Sequence, residues 1–263
     1  MDKYCIIGRD DRSINLRKLY VDEGKKVVDY LSADYVISPI PFSRDGIKIT
    51  GEILECDEVI KVLENKILFT GALSCEMKEK LKGIKYYDLM ELDEVAVLNA
   101  IPTAEGAIYE AIKNSDITLS GSNVLVMGYG RIGRILAQML KGINAKVYCE
   151  ARNKKDIANI NAMGYNSVYI DELNSFLPKM DYIFNTIPVR IIDEKNIKYI
   201  NKECTIIDLA SAPGGIDFEF ANSLGLNVTW ALSLPSKVAP KSAAKYLKDT
   251  IDDIILKEKE IDS

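Results

Sequence analysis

The glycine-rich segment in the middle of the chain contains the residues whose types and spacing most clearly support chemistry. An apolar run at residues 124–127 precedes Gly128, Gly130 and Gly133, which have the spacing G-x-G-x-x-G. In such a turn the first glycine permits a tight bend, the second lets backbone amides approach a pyrophosphate, and the third lets a helix pack on the sheet. Apolar residues at helical spacing follow, and a second strand pattern covers residues 146–150. The segment predicts a dinucleotide-binding unit with the phosphates at the helix N-terminus.

We expect this turn and two later loops to contact the cofactor. In open α/β sheets, ligands bind beyond the carboxyl ends of the strands. The loops Asn185-Thr-Ile-Pro188 and Ala210-Ser-Ala-Pro-Gly-Gly215 each follow a strand pattern, although both are also compatible with purely structural turns. The predicted cofactor contacts are Gly128, Tyr129, Gly130, Arg131, Ile132, Gly133, Arg152, Asn185, Thr186, Ile187, Pro188 and Ala210.

The end of the second strand bears on the choice of cofactor. Enzymes that prefer NAD place an acidic residue ~20 residues past the glycines, where it binds the ribose 2'-hydroxyl. Here that position is Ala151, and Arg152 follows with Lys154 and Lys155 close behind. An arginine at this point suits a 2'-phosphate, so NADP is the expected cofactor. NAD remains possible because Glu150 lies one residue earlier, and the three cations are also compatible with a solvated helix start.

The composition excludes several functional classes. The 263 residues include no histidine, which rules out an imidazole base or a histidine metal ligand from this chain. No cluster of Cys, Asp and Glu has ligand spacing, so no metal is predicted. A net charge of −5 without a basic run argues against nucleic acid as a partner, and no apolar stretch could cross a bilayer. The five isolated cysteines and the absence of a leader pattern lead us to expect a reduced, cytoplasmic protein.

Alternating strand and helix patterns predict the fold class. In the first part of the chain, we expect strands at 4–7, 35–38, 66–70 and near Tyr86, with helices through Leu16, Leu19 and Val27 and around 59–63. In the second part, the expected strands are 123–127, 146–150, 167–170, 181–185, 204–208 and 227–231. The pattern predicts two doubly wound α/β domains with parallel sheets, the second a six-stranded Rossmann domain.

Two helices complete the predicted organisation. Pro102 suits a first helical turn, which predicts a linking helix over residues 99–118. An apolar row near the end of the chain predicts a C-terminal helix that packs back on the first domain. The predicted segments are an N-terminal substrate domain at 1–98, the linking helix, a nucleotide-binding domain at 119–235 and the C-terminal helix at 236–263.

Candidate substrate residues lie in the loops after the N-terminal strands and at the two linking segments. Arg12, Arg44, Lys237 and Lys241 could bind carboxylates, but each is equally compatible with solvated surface. Thr103 and Glu105 lie at the predicted hinge, where Glu105 could accept a proton if burial raised its pKa. A carboxylate at a helix start can also serve only to complement the helix dipole. Further candidate hydrogen-bonding groups are Ser38, Thr70 and Ser211.

Nearly the whole chain resembles the A subunits of dipicolinate synthase. The resemblance depends on six motifs taken together: Asn99-Ala-Ile-Pro-Thr-Ala-Glu-Gly-Ala-Ile, Val126-Met-Gly-Tyr-Gly-Arg-Ile-Gly, Gln138 onward to Ala151-Arg152, Asn185-Thr-Ile-Pro188, Asp208-Leu-Ala-Ser-Ala-Pro-Gly-Gly-Ile-Asp-Phe218, and Leu234-Pro-Ser-Lys-Val-Ala-Pro-Lys-Ser-Ala243. The chain departs from the family pattern at Arg9, where a second glycine is expected, and at Glu150, where a small residue is expected.

The resemblance implies the oxidation of a dihydrodipicolinate-type ring to pyridine-2,6-dicarboxylate with a nicotinamide cofactor. It also implies three further properties: a smaller flavoprotein-like partner known as the B subunit, a homo- or hetero-oligomer, and a place in the mother-cell cytoplasm of a sporulating bacterium. Three alternatives stay open from the residues alone. They are another NADP oxidoreductase such as a shikimate-type reductase, a regulatory or scaffold protein that binds the cofactor while its partner performs the reaction, and a methyl-donor-binding protein.

Overall fold

A computed structural model describes residues 2–261 of the chain. The chain divides into two compact units. Within the described residues, the first comprises residues 2–99 together with 239–261, and the second comprises Ala100–Val238. The functional roles expected for the segments 1–98, 99–118, 119–235 and 236–263 stay predictions.

The first unit is built on a five-stranded parallel sheet with the order β2-β1-β3-β4-β5. Its strands are β1 (Lys3–Ile6), β2 (Lys26–Val27), β3 (Tyr35–Ile37), β4 (Ile67–Thr70) and β5 (Lys85–Asp88). The helices of this unit are α1 (Asp11–Asp22), α2 (Cys56–Ile60), α3 (Cys75–Lys80), the first part of α4 (Asp93–Lys113) and α10 (Pro240–Ile261).

The C-terminal helix α10 belongs to the core of the first unit. Its buried residues Leu247, Ile251 and Ile255 share one hydrophobic cluster with Tyr4 of β1 and Tyr20 of α1. Burial of side chains of this size stabilises a fold by about 1.5–3 kcal/mol each. The predicted return of the C-terminal helix to the first domain is confirmed.

The second unit is built on a six-stranded parallel sheet with the order β11-β10-β9-β6-β7-β8. Its strands are β6 (Asn123–Met127), β7 (Lys146–Ala151), β8 (Asn166–Tyr169), β9 (Tyr182–Asn185), β10 (Thr205–Asp208) and β11 (Asn227–Trp230). The rest of α4 and five further helices complete it: α5 (Arg131–Gly142), α6 (Lys154–Ala162), α7 (Leu173–Phe176), α8 (Phe218–Ser223) and α9 (Leu234–Val238). This is the doubly wound order of a Rossmann domain, as the sequence predicts.

Two local expectations were wrong. Val27 is not helical: α1 ends at Asp22, Gly24 adopts a φ of 71°, and Val27 pairs with Tyr4 as part of β2. A glycine in the left-handed region is a common end to a helix, which explains why the apolar spacing did not continue. Pro102 does not lie in the first turn of its helix, because α4 begins at Asp93 and contains Pro102 in its interior. The acidic Asp93 and Glu94 complement the dipole of the earlier start.

Candidate functional site

The turn after β6 requires glycine at two positions for reasons internal to the protein. Gly128 has a φ of 87°, and a Cβ atom there would lie 2.6 Å from the hydroxyl of Thr186. A Cβ atom on Gly133 would lie 2.0 Å from the carbonyl oxygen of Gly128. Side chains at these positions would therefore push β6, α5 and the loop after β9 apart.

Gly130 differs because no atom of residues 2–261 requires it to be glycine. It is the N-cap of α5 with a φ of −82°, it is exposed, and a Cβ atom there would meet no atom within 4 Å. The space above its backbone is open, and the α5 N-terminus begins at the next residue, Arg131. Open space above the backbone at a helix N-terminus is what a pyrophosphate needs, so the turn fits a dinucleotide.

The side chains around the turn have different surroundings. Tyr129 is buried, with its ring in the core and the Arg134 guanidinium 5.1 Å from the ring centroid. Arg134 also donates to the carbonyl oxygen of Tyr129 at 3.0 Å and bridges to Asp156 at 2.8 Å. Ile132 packs against the same core, and Arg131 is exposed. Any contact of Tyr129 or Ile132 with a cofactor would therefore use mainly the backbone.

The loop after β9 lies directly against the glycine turn. The backbone N–H and the hydroxyl of Thr186 both donate to the carbonyl oxygen of Met127, at 3.0 and 2.9 Å. Ile187 would be 2.7 Å from a Cβ atom on Gly128. Pro188 is exposed at the end of this loop. Thr186, Ile187 and Pro188 thus follow β9 beside the predicted pyrophosphate position.

Two predicted cofactor contacts have their polar groups already engaged by the protein. The Asn185 side chain is fully buried and donates to Asp208 Oδ1 at 2.8 Å. The backbone N–H of Ala210 donates to the same oxygen at 3.0 Å, and its carbonyl oxygen accepts from Trp230 Nε1 at 2.8 Å. Asp208 is not among the predicted site residues. The signal that could have identified it is an aspartate ending the apolar strand Thr205–Asp208, just before a loop containing two glycines.

The end of β7 places an exposed cation beside a buried carboxyl group. Arg152 is exposed immediately after the strand, and Ala151 is buried. The Glu150 side chain is fully buried. Its Oε2 accepts a hydrogen bond from the backbone N–H of Gly128 at 3.2 Å, whereas its Oε1 has no hydrogen-bond partner in residues 2–261. Burial raises the pKa of Glu150, and the Gly128 N–H and Arg152 oppose that rise only in part.

Arg12 is the predicted substrate cation with the most unusual environment. It lies in the first turn of α1 and is only 8% exposed, and its Nη2 donates to the carbonyl oxygen of Ile40 at 3.3 Å. Burial lowers the pKa of the guanidinium, whereas the charge of Asp10 raises it. In the described part of the chain, the guanidinium forms no salt bridge, because Asp10 instead accepts from the backbone N–H groups of Arg12 and Ser13. A buried cation of this kind is suited to an anionic ligand.

Polar groups from neighbouring strand ends lie at the same edge of the first sheet. Ser38 follows β3 and donates to the hydroxyl of Thr70, the last residue of β4, at 2.8 Å. Both side chains are buried. The Ile40 side chain would be 3.1 Å from a Cβ atom on Gly71, so the loops after β3 and β4 are packed together. Arg12 at the start of α1, Ser38 after β3 and Thr70 at the end of β4 thus lie at one edge of the sheet.

The other predicted substrate and proton-transfer residues are more exposed. Arg44, Lys237 and Lys241 are exposed, and Thr103 is half-buried. Glu105 is exposed on α4, so it lacks the burial that its expected role as proton acceptor assumed. Ser211 is exposed in the loop after β10. Their proposed roles stay predictions, whereas the environment of Arg12 adds a structural argument for its role.

Two kinds of feature are absent from residues 2–261. No helix in that range is both long and apolar enough to cross a membrane. Within the same range, no group of three or more Cys, Asp or Glu side chains could hold a metal ion.

The comparisons with known proteins agree with the geometry of the second unit. A family profile described as the NAD binding domain of D-isomer specific 2-hydroxyacid dehydrogenase matches residues 103–213, which include the glycine turn. The A subunit of dipicolinate synthase from Bacillus subtilis (strain 168) is 33% identical over 96% of this chain and 95% of its own length.

Two solved structures extend the likeness to the whole fold. The A subunit of dipicolinate synthase from Bacillus halodurans superposes with a TM-score of 0.89 at 29% identity, covering 96% of this chain and 97% of that one. The corresponding crystal structure from Bacillus subtilis gives a TM-score of 0.87 at 26% identity, covering 98% and 97%. This chain therefore belongs to the family of dipicolinate synthase A subunits and has a nicotinamide-nucleotide-binding dehydrogenase domain.

Proposed function

We propose that this chain is the dehydrogenase component of a dipicolinate synthase, which oxidises a dihydrodipicolinate-type ring to pyridine-2,6-dicarboxylate with NADP. The observation that carries the proposal is the buried guanidinium of Arg12, which has no salt bridge within residues 2–261. The same chain has the glycine turn of a dehydrogenase. A diacid substrate needs desolvated cations and amide donors, because two carboxylates must leave water. The family membership supports the same reaction.

The glycine turn and the end of β7 are proposed to hold the cofactor. The α5 N-terminus and the backbone at Gly130 would bind the pyrophosphate, since the space above Gly130 is open. Arg152 would bind the 2'-phosphate of NADP with its exposed guanidinium. When bound, the oxidised nicotinamide supplies the hydride acceptor. Thr186 and Ile187 extend the binding surface beside the turn.

Arg12 is proposed to bind one carboxylate of the diacid. Its guanidinium has donors left after the bond to Ile40, and burial makes an ion pair there stronger than one at the surface. The hydroxyl groups of Ser38 and Thr70 are proposed hydrogen-bond partners on the adjoining loops. Arg44, Lys237 and Lys241 are proposed as partners for the second carboxylate, and their exposure predicts smaller contributions.

The absence of histidine fits this reaction. The dihydro ring loses a hydride and a proton, and its nitrogen lone pair assists departure of the hydride as the ring becomes aromatic. The protein must therefore mainly hold the donor carbon at near-attack distance from its acceptor. Glu105 is proposed to accept the proton; because it is exposed, it can pass the proton directly to water. Thr103, two residues earlier on α4, is proposed to assist by hydrogen bonding.

Membership of a family of A subunits supports the existence of a second, different subunit in the enzyme. We propose a smaller flavoprotein-like B subunit in this role and a site of action in the mother-cell cytoplasm during sporulation. We also propose that the chain assembles as a homo- or hetero-oligomer.

The proposal is tested with purified chain, NADP and a freshly prepared dihydrodipicolinate-type acid, with and without the B subunit. Reduced nicotinamide is followed by absorbance, and dipicolinate is measured by chromatography. We expect the two products in equal amounts. Parallel reactions with NAD and with shikimate test the cofactor and the alternative substrate class.

Reduction of the cofactor by shikimate but not by the dihydro acid would overturn the proposed reaction. Equal rates with NAD and NADP would overturn the cofactor preference alone. Failure of the chain to reduce either cofactor in the presence of the B subunit, while both proteins are folded, would show that it does not perform the hydride transfer.

A further inference from the structure

A buried pair of polar side chains connects the loops after β9 and β10. Asp208, the last residue of β10, is fully buried. Its Oδ1 accepts from Asn185 Nδ2 at 2.8 Å and from the Ala210 N–H at 3.0 Å, and its Oδ2 accepts from the Gly215 N–H at 2.8 Å. One carboxyl group thus fixes the first and the last part of the loop 209–215.

Asn185 performs the corresponding role for the neighbouring loop. It is the last residue of β9 and lies opposite Asp208 in the register of the two strands. Its Nδ2 also donates to the carbonyl oxygen of Ile187 at 3.0 Å, and its Oδ1 accepts from the Ile187 N–H at 3.2 Å. The side chain therefore closes the first turn of the loop 186–188.

The packing between these loops leaves little room for adjustment. A Cβ atom on Gly215 would lie 2.2 Å from Asn185 Nδ2 and 2.7 Å from the carbonyl oxygen of Ile187. Ile187 in turn would lie 2.7 Å from a Cβ atom on Gly128. A continuous series of contacts thus runs from Asp208 through Asn185 and Ile187 to the glycine turn.

We infer that Asn185 and Asp208 are positioning residues of the cofactor site: without contacting the cofactor, they set the shape of the two loops that follow β9 and β10. The inference rests on the proposed binding of the nicotinamide nucleotide at the carboxyl ends of β6, β9 and β10. Asp208 is the central member because its three hydrogen bonds join Asn185, at the end of β9, to the first and last parts of the loop 209–215.

The chain contains a natural reporter for this arrangement. Trp230 is the single tryptophan, its Nε1 donates to the Ala210 carbonyl oxygen at 2.8 Å, and its ring stacks on Phe218 at 5.1 Å. It is 39% exposed, so a displacement of the loop 209–215 should shift its fluorescence emission.

The test substitutes Asp208→Asn and uses Asp181→Asn as a matched control. An amide at position 208 cannot accept from all three donors, so at least one buried N–H loses its acceptor. Asp181 also accepts a backbone bond, from the Asn123 N–H at 2.7 Å, but it lies just before β9 at the opposite end of the sheet. The measurements are the dissociation constant of NADPH by calorimetry, Trp230 emission, and thermal melting.

For Asp208→Asn, we expect the NADPH dissociation constant to rise by about tenfold or more and the Trp230 emission to shift. For Asp181→Asn, we expect a loss of thermal stability with unchanged emission and a dissociation constant within about twofold of wild type. A purely structural role for Asp208 predicts that both variants behave alike, and that result would overturn the inference.

A second variant covers the possibility that Asp208→Asn does not fold. This variant combines Asn185→Asp with Asp208→Asn and so exchanges the two side chains. An amide can still donate to a carboxylate between the strands, but the N–H groups of Ala210 and Gly215 lose one of their two acceptor oxygens. We expect this variant to fold, with NADPH binding weaker than wild type. Wild-type binding by the exchange variant would contradict the inference. Because binding is measured without turnover, a failure of the proposed oxidation reaction would not be confused with a failure of this inference.

Discussion

Substitution of Gly130 by alanine separates the requirements of cofactor binding from those of folding. Gly130 has a φ of −82° and a ψ of −159°, a backbone conformation that alanine adopts without strain. In the part of the chain that the structure describes, a Cβ atom there would meet no atom within 4 Å. The methyl group would instead occupy the space in which the pyrophosphate is proposed to approach the backbone.

The structure predicts no loss of stability for this variant. Replacing glycine by alanine at a compatible position stabilises a protein by about 0.4–1 kcal/mol, because it restricts the unfolded chain. In a chain of this size, that change would raise the melting temperature by roughly 1–4 °C. By contrast, Gly133→Ala would place its methyl group 2.0 Å from the Gly128 carbonyl oxygen and should lower the melting temperature.

The expected effect of Gly130→Ala on binding is large. An extra methyl group in a close-packed contact costs about 1–3 kcal/mol, which corresponds to a rise of about 5- to 150-fold in the dissociation constant. Calorimetric titration of NADPH, together with thermal melting of the same samples, measures both quantities.

The matched control is Gly142→Ala at the end of α5. It also places a Cβ atom in open space, but far along the helix from the glycine turn. We expect its NADPH affinity to equal that of wild type. If Gly130→Ala binds NADPH as tightly as Gly142→Ala while both are folded, the pyrophosphate does not approach the backbone at Gly130 and the reasoning is refuted.

Three further predictions concern the cations and the buried carboxyl group. Arg152→Ala should weaken NADP binding by about 10- to 150-fold, because charge-assisted hydrogen bonds to the 2'-phosphate are lost, whereas NAD binding should change little. Parallel titrations with the two cofactors measure this difference, and equal losses for both would exclude a 2'-phosphate contact. Arg12→Met should abolish dipicolinate binding in calorimetry without lowering the melting temperature, because a buried cation is replaced by an apolar side chain. Arg44→Met, at an exposed position, should weaken dipicolinate binding less. Unchanged binding by Arg12→Met would refute the substrate assignment. Because burial raises the pKa of Glu150, folding favours its protonated form, and wild type loses stability as pH rises from the ordinary pKa of glutamate through the raised pKa of the folded state. Glu150→Gln lacks this titration, so its melting temperature relative to wild type should rise over that pH interval. A difference that does not change with pH would contradict this.

Much of the fold could be predicted from the sequence because strand and helix periodicity is local. The strands of the second sheet were expected within a residue or so of their observed limits, since each is a short apolar run bounded by turn residues. The two errors arose where the effect of a single residue was misjudged against periodicity. Gly24 ended α1 before Val27, and Pro102 was accommodated inside a helix that starts at Asp93.

The site was less predictable because burial and pairing depend on residues far apart in the chain. No local pattern ranks Arg12 above Arg44, and the difference between them is burial against the loop containing Ile40. Likewise, no local pattern shows that the side chain of Asn185, a predicted cofactor contact, donates to Asp208, 23 residues later on the neighbouring strand. The spacing of the three glycines was informative because all the contacts that require them lie within one turn and its neighbours.

The most direct test of the central claim is a crystal structure of this chain with NADP and dipicolinate both bound. We expect the pyrophosphate against the α5 N-terminus at Gly130, the 2'-phosphate on Arg152, and a dipicolinate carboxylate on the guanidinium of Arg12. A structure in which the dinucleotide lies away from the glycine turn, or in which dipicolinate is bound without contacting Arg12, would contradict it.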